Sequence, residues 1–298
     1  MSRKFILDTD WFTDCDDCVA LRFLIRSLDE NHRLLGVNIN ATTEHSYASM
    51  KAFMENEGRA YPIALYEPYY ASSDLFYQET MAKDSVYTNE DGEKTLDFYK
   101  RILENNDGVE ILCIGFLSSV AKVFQTYPHL LKKVKKLWIM GGKWDEQGGR
   151  EYNFNAEGVE SVIQATRFVV NELQVEKAFL GFEIGYDVFT GSKLTENDVL
   201  GKAVKEFLCK SLNKKRKLGL TAPENYTTRG RESWDPMLIM AAFYDKYEGA
   251  FAYEKGKASV GENGENYFEK DANGIDMYAL KIHNNAYYEQ IIDEIIKE

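Results

Sequence analysis

The sequence predicts an α/β fold: an open, mostly parallel sheet flanked by helices on both faces. Two observations predict it. Short apolar runs alternate with segments of helical period along most of the chain, the pattern of parallel strands joined by crossover helices. Carboxylates crowd the end of the first apolar run, where open parallel sheets bind their ligands. No repeat, proline-rich linker or low-complexity block interrupts the alternation, and only 5 prolines occur. One domain over residues 1–298 is therefore expected.

In order, residues 5–8 are short and apolar and read as a buried strand. Residues 16–29 place Cys18, Leu21, Leu24, Ile25 and Leu28 on one stripe and read as a helix. Residues 34–39 follow as a strand, 46–58 as a helix and 62–66 as a strand. Residues 93–105 suit a helix, 109–114 a strand and 117–126 a helix. A strand over 136–140 ends at Gly141-Gly142. Residues 157–172 suit a helix and 178–182 a strand. Helices are expected over 196–213 and 236–246. A hairpin-like stretch from 256 to 280 precedes a terminal helix.

Composition bounds the function. The 298 residues are 44% hydrophobic and 28% charged, a globular balance with ample material for a core. Lys and Arg total 36 against 48 Asp and Glu, a formal charge of −12. That charge repels phosphate backbones and anionic bilayers, so neither nucleic acid nor membrane is an expected partner. The apolar run near the N-terminus stops at Asp8, too soon for a signal peptide. Cys15, Cys18, Cys113 and Cys209 read as reduced thiols, and a cytoplasmic location is expected.

The informative segment is Asp8-Thr9-Asp10-Trp11-Phe12-Thr13-Asp14-Cys15-Asp16-Asp17. Five carboxylates in ten residues repel one another unless a cation sits among them. All-oxygen ligands suit a hard ion such as Ca²⁺ or Mg²⁺. Asp16 and Asp17 alone would also suit a helix N-terminus. Two chemistries fit a strand ending in Asp-x-Asp. In a haloacid-dehalogenase-type phosphatase Asp8 would be the nucleophile and Asp10 the acid–base. That pattern wants a hydroxyl residue one place earlier than Thr13 and a later strand ending in an acidic pair, which is missing. The other chemistry needs a distant carboxylate to close a metal cage, and Trp234-Asp235-Pro236 supplies one before a helix. Alone, Asp235 also reads as a helix cap followed by Pro.

Here the chain resembles the inosine-uridine-preferring nucleoside hydrolase family. That family opens with Asp-x-Asp and then Asp-Asp-x-x-Ala-Leu; this chain has Asp8-Thr9-Asp10, then Asp16-Asp17-Cys18-Val19-Ala20-Leu21, two residues further on. Cys113 to Ser119, Trp138-Ile139-Met140-Gly141-Gly142, Glu151-Tyr152-Asn153-Phe154 and Trp234-Asp235-Pro236 are similar to later family segments, in order. The resemblance implies a nucleoside-hydrolase-like sheet with a Rossmann-like core and Ca²⁺-dependent hydrolysis of a ribonucleoside's N-glycosidic bond. It implies Ca²⁺ held by Asp10, Asp17, Asp235 and the Ile114 carbonyl, with Asp10 as general base. Asp16, Glu151 and Asn153 would hydrogen-bond ribose hydroxyls, although Glu151 and Asn153 alone read as ordinary loop residues. The small-molecule partner would be a nucleoside, and a homodimer or homotetramer is expected. A non-catalytic nucleoside binder is the remaining alternative.

The departures matter. Many members carry His before the final Asp, as an acid for the leaving base. Here Trp234 stands there and would stack on the base instead. His32, His45, His129 and His283 fall in segments read as surface. The family's Asn after the second strand falls near Thr43. Asp8 reads as a support behind the site, and Asp14 as a solvated carboxylate. Two aromatic loops, 69–87 and 218–233, suit lids or subunit contacts. Arg229 and Arg231 would suit a phosphorylated substrate. Cys15 and Cys18 form a Cys-x-x-Cys whose acidic interior disfavours thiolate. Lys214 to Lys217 read as a solvated helix end.

Overall fold

The computed structural model describes residues 2–12, 14–67 and 77–297. Ten strands form one sheet: β1 (Arg3–Thr9), β2 (His32–Ile39), β3 (Ile63–Leu65), β4 (Glu93–Lys94), β5 (Val109–Cys113), β6 (Val134–Met140), β7 (Glu176–Leu180), β10 (Phe251–Val260), β11 (Asn266–Lys270) and β12 (Asp276–Lys281). Two short strands, β8 (Phe189–Thr190) and β9 (Arg231–Glu232), pair apart from it. The sheet order is β11-β10-β12-β7-β6-β5-β1-β2-β3-β4. Every pairing from β4 across to β12 is parallel, and β10 and β11 add antiparallel pairing at the edge. The chain thus runs outward from β1 on one side, then returns to lay β5 on the other. This reversal makes the carboxyl ends of β1 and β5 the crevice where such sheets take ligands.

The helices are α1 (Asp16–Ser27), α2 (Ser46–Asn56), α3 (Gln78–Ala82), α4 (Thr95–Glu104), α5 (Ser118–Thr126), α6 (Tyr152–Asn155), α7 (Glu160–Arg167), α8 (Phe182–Gly185), α9 (Val199–Lys217), α10 (Trp234–Ala242) and α11 (Asn285–Ile296). They cover both faces. Phe5 and Leu7 of β1 enter one apolar cluster with α1 and α10, while Ile6 enters another with α4 and α5. Strands buried on both faces read as continuous apolar runs, which is why the sequence displays them so clearly.

Several expectations change. The stretch 256–280 opens with the expected hairpin, β10 against β11, and β12 then joins the main sheet beside β7. The helix expected over 93–105 starts at Thr95, because Glu93–Lys94 pairs with β3. The helix expected over 157–172 tightens to α7 and passes into a π-turn over Phe168–Glu172. His32 is not on the surface. It is 3% exposed and stacks on Phe243 at 4.8 Å. Its two ring nitrogens bond Asp29 at 2.7 Å and Asp245 at 2.8 Å, so its polar atoms are satisfied inside the core.

Candidate functional site

β1 delivers Thr9 and then Asp10 to the crevice. Just beyond, Trp11 takes a left-handed backbone at φ 51°, an uncommon conformation for a bulky residue. Its indole is buried and donates to Ser49 Oγ at 2.9 Å, which anchors the turn. Asp16 and Asp17 open α1, but neither is a solvated cap: they are 2% and 1% exposed, and the N-cap residue Cys15 makes no side-chain cap bond. Asp235 is likewise not the cap of α10. Ser233 holds that position, and Asp235 lies inside the first turn at 5% exposure.

These residues line one cavity of about 310 Å³, at the small end of ligand pockets. Asp10, Asp14, Asp16, Asp17, Ile114 and Asp235 meet there with Met140, Glu151 and Asn153, and with Phe182 and Trp234. Of the residues expected to bind metal or substrate, Asp10, Asp16, Asp17, Ile114, Glu151, Asn153, Trp234 and Asp235 are all in this wall. Glu151 is 8% exposed and accepts the N–H of Asn153 at 2.9 Å and of Gly142 at 3.1 Å. It therefore caps α6 as well as facing the cavity. Burial pushes its carboxyl up to about 7, against those N–H bonds. Asn153 donates to the Met140 carbonyl at 3.3 Å.

The carboxylates form a charged cluster. Burial first, then mutual repulsion, pushes Asp16, Asp17 and Asp235 well above the usual carboxylate range. Asp17 also accepts from the Thr9 hydroxyl, and its carboxylate contacts that of Asp10. Asp14, Asp16 and Asp17 each offer an oxygen within 4.8 Å of the others. Buried like charges with only oxygen donors are the setting in which a hard cation relieves the strain. Asp14, Asp16 and Asp17 thus fit a divalent ion, while Asp10 and Asp235, expected as ligands, line the same cavity outside that group.

Asp14 is no solvated loop carboxylate. It pairs with Arg231 at 2.5 Å and lines the cavity. Burial works to raise its carboxyl, but Arg231 holds it below the ordinary range. Arg231 also donates to Glu232. With both carboxylates on one guanidinium, that charge is matched, which weakens the phosphorylated-substrate reading. Arg229 pairs with Glu232 at 2.5 Å.

Asp8 supports the site from behind. It is fully buried and accepts from Tyr99 at 2.5 Å, Asn40 at 2.6 Å, Ser119 at 2.8 Å and Asn38 at 2.9 Å. Burial raises its carboxyl to about 6 against those bonds. A carboxylate so enclosed presents no face to a phosphate, so the phosphatase reading loses its nucleophile. Thr43 spends its hydroxyl on Gln78 at 2.8 Å and does not line the cavity.

Gly115 lets the chain after β5 approach Asp10 closely. A Cβ there would stand 2.5 Å from the Asp10 nitrogen. On the aromatic side, the Trp234 indole donates to the Phe182 carbonyl at 2.8 Å, and the two rings lie 5.4 Å apart. Phe182 was missed in the sequence, although it lies two residues past the end of β7 and the strand-end rule points to it. No His lines the cavity among the described residues. Of the two aromatic loops, Tyr69, Tyr70 and Phe76 lie outside the described residues. Tyr77 and Tyr226 are 1% and 5% exposed and belong to the core. Cys15 and Cys18 are buried free thiols whose pKa burial pushes well up, against redox or zinc chemistry.

Comparisons with known proteins bear on the fold and the family. Over 165 residues the chain is 28% identical to a uridine nucleosidase of Saccharomyces cerevisiae, a match spanning 48% of each protein. A plant nucleoside hydrolase superposes with a TM-score of 0.70 at 17% identity, over 99% of both chains. An inosine-uridine preferring nucleoside hydrolase of Bacillus anthracis does so with a TM-score of 0.64 at 15% identity, also over 99% of both. At such identities the likeness speaks for the fold. The profile of inosine-uridine preferring nucleoside hydrolases matches residues 5–274, nearly the whole chain, and the protein belongs to that family.

Proposed function

We propose that the protein hydrolyses the N-glycosidic bond of ribonucleosides with Ca²⁺ as cofactor, releasing ribose and a nucleobase. One observation carries the reading. A carboxylate floor and an aromatic wall line one cavity at the switch point of a parallel sheet. Asp10, Asp17, Asp235 and the Ile114 carbonyl would hold the ion, with Asp14 and Asp16 beside them. When bound, Ca²⁺ supplies positive charge that makes water more acidic and grips hydroxyls. Asp10 takes the proton of the attacking water. The water oxygen bonds to the anomeric carbon while the bond to the base breaks; the electron pair of that bond leaves with the base, which takes a proton from solvent water. Asp16, Glu151 and Asn153 accept or donate to ribose hydroxyls. A sugar lacking one of these leaves buried polar groups unpaired, so ribose is selected over deoxyribose. Trp234 and Phe182 stack on the base, in place of a His acid.

The whole chain is read as one domain, because the two ends of the cage lie more than two hundred residues apart in sequence. It is read as a homodimer or homotetramer in the cytoplasm. Among the described residues no helix is long and apolar enough to cross a membrane.

The test is ribose release from a nucleoside panel by Ca²⁺-loaded protein. Uridine and inosine head the panel because the yeast relative is named a uridine nucleosidase. Turnover should appear for at least one nucleoside and fall by about 10³-fold or more in Asp10→Ala, the scale set by losing a general base. No release from any nucleoside would sink the reading. Tight binding without turnover would leave a nucleoside-binding protein.

A further inference from the structure

Arg231 stands where the carboxylate floor meets the aromatic wall. The backbone that carries it is held from the protein side. Thr190 of β8 pairs opposite Arg231 of β9. The Ser233 hydroxyl meets that of Thr190 at 2.6 Å, and the Ser233 N–H donates to the Gly185 carbonyl at 3.2 Å. The Trp234–Asp235 turn therefore has a rigid base. The β1–α1 loop opposite is built differently. It carries the left-handed Trp11, and α1 begins at Asp16 with no side-chain cap.

Arg231 spans the gap. Its guanidinium donates to Asp14 at 2.5 Å and lies 5.1 Å above the Trp234 ring. Asp14 accepts the N–H of Asp16 at 3.3 Å, and Asp16 accepts the N–H of Asp235 at 3.1 Å. Asp235 follows Trp234 in the chain. The contacts close a ring from Arg231 through Asp14, Asp16, Asp235 and Trp234 back to Arg231. A flat fork suits this task, since one arm can hold a carboxylate while the plane rests on an indole.

We propose that Arg231 is a positioning residue: through Asp14 it fixes the carboxylates of the β1–α1 loop against the Trp234–Asp235 turn, so that cation and nucleoside bind to a site of one set geometry. The inference rests on the hydrolase reading for the identity of the nucleoside. It also gives the longer Asp-Asp spacing a purpose, because Asp14 lies within the lengthened segment.

The sign of one measurement separates positioning from plain charge. Coulomb's law alone makes Arg231→Ala bind Ca²⁺ more tightly, because a cation beside the cluster is gone, and leaves Arg231→Lys unchanged. Positioning predicts the opposite. Arg231→Ala and Arg231→Lys should each weaken Ca²⁺ by about tenfold, the scale for groups that orient metal ligands. Calorimetric titration of Ca²⁺ into metal-stripped wild type, Arg231→Ala, Arg231→Lys, Asp14→Ala and the Asp14→Ala/Arg231→Ala double variant reads this directly. The double variant should be no worse than the weaker single one, as for partners in one contact. KM should rise about tenfold with kcat within about threefold of wild type. Melting curves confirm that each variant is folded, and Arg231→Lys remains decisive should Arg231→Ala fail to fold. Tighter Ca²⁺ binding in Arg231→Ala, additive losses in the double variant, or a fall in kcat at unchanged KM would each overturn the proposal. A wild type that binds Ca²⁺ but hydrolyses nothing refutes the hydrolase reading alone, and the titrations still decide the role of Arg231.

Discussion

Gly115→Ala should disable the site without removing a polar group. Gly115 follows β5 and faces the end of β1. A Cβ placed on it would stand 2.5 Å from the Asp10 nitrogen, 2.8 Å from the Asp10 Cβ and 2.9 Å from Asn40 Oδ1. Ordinary van der Waals contact begins at 3.4 Å, so a neighbour must give by most of an ångström. Two of the three atoms belong to Asp10. Gly115 lies outside the left-handed region, so alanine adds no backbone strain and the collision is the whole perturbation. Overpacking of this kind costs about 1–3 kcal/mol. For 298 residues that lowers the melting temperature by about 2–5 °C. The functional cost is larger, because a general base misplaced by about 1 Å loses roughly 100-fold in rate. Ribose release measured beside a melting curve separates the two. Turnover within threefold of wild type would refute the claim that the β1–β5 contact sets the position of Asp10.

Gly185→Ala is the companion on the aromatic side. Its Cβ would meet the Trp234 Cα at 2.5 Å, so KM should rise several-fold more than the Ca²⁺ dissociation constant; equal changes in the two would contradict separate floor and wall. Removing metal with a chelator should lower the melting temperature. Ca²⁺ restored to 100 times its dissociation constant contributes about 2.7 kcal/mol, roughly 4 °C here, and no shift on titration would argue against a cation in the cluster. Glu151 gives a pH signature in metal-free protein. Burial raises its folded carboxyl to about 7 from 4.5, so the folded state holds a proton that the unfolded chain has lost. Stability should therefore fall as pH rises from about 4.5 to 7, by at most about 3 kcal/mol from this group. Glu151→Gln should remove that part of the slope, and an unchanged profile would show the carboxyl is not perturbed.

Much of the fold was legible because parallel strands are buried on both sides. Residues 5–7, 111–113 and 137–140 are apolar without a break, and each lies in a strand of the main sheet. The tail was harder. β12 pairs beside β7 only through contacts about a hundred residues apart, and a local pattern of alternation cannot show which strand it will join. His32 misled for a related reason. A histidine reads as surface until Phe243, Asp29 and Asp245 close around it.

The site divides in the same way. Crowded aspartates announce a cation through local charge alone, and strand-end placement announces a pocket, so Asp10, Asp16 and Asp17 could be named from the chain. The ordered motifs added Ile114, Glu151, Asn153, Trp234 and Asp235. The sequence by itself determined the parallel sheet, the clustering of carboxylates at its first strand end and the family, since each depends on short-range pattern or on motifs kept in order. Only the tertiary structure decided that Asp8 is enclosed by four donors, that Asp14 and Arg231 meet across 217 residues, and that Phe182 joins Trp234 in one wall. These are pairings between distant segments. Hydrogen bonds and ion pairs act over a few ångströms, so what a residue does there depends on neighbours that chain order does not name.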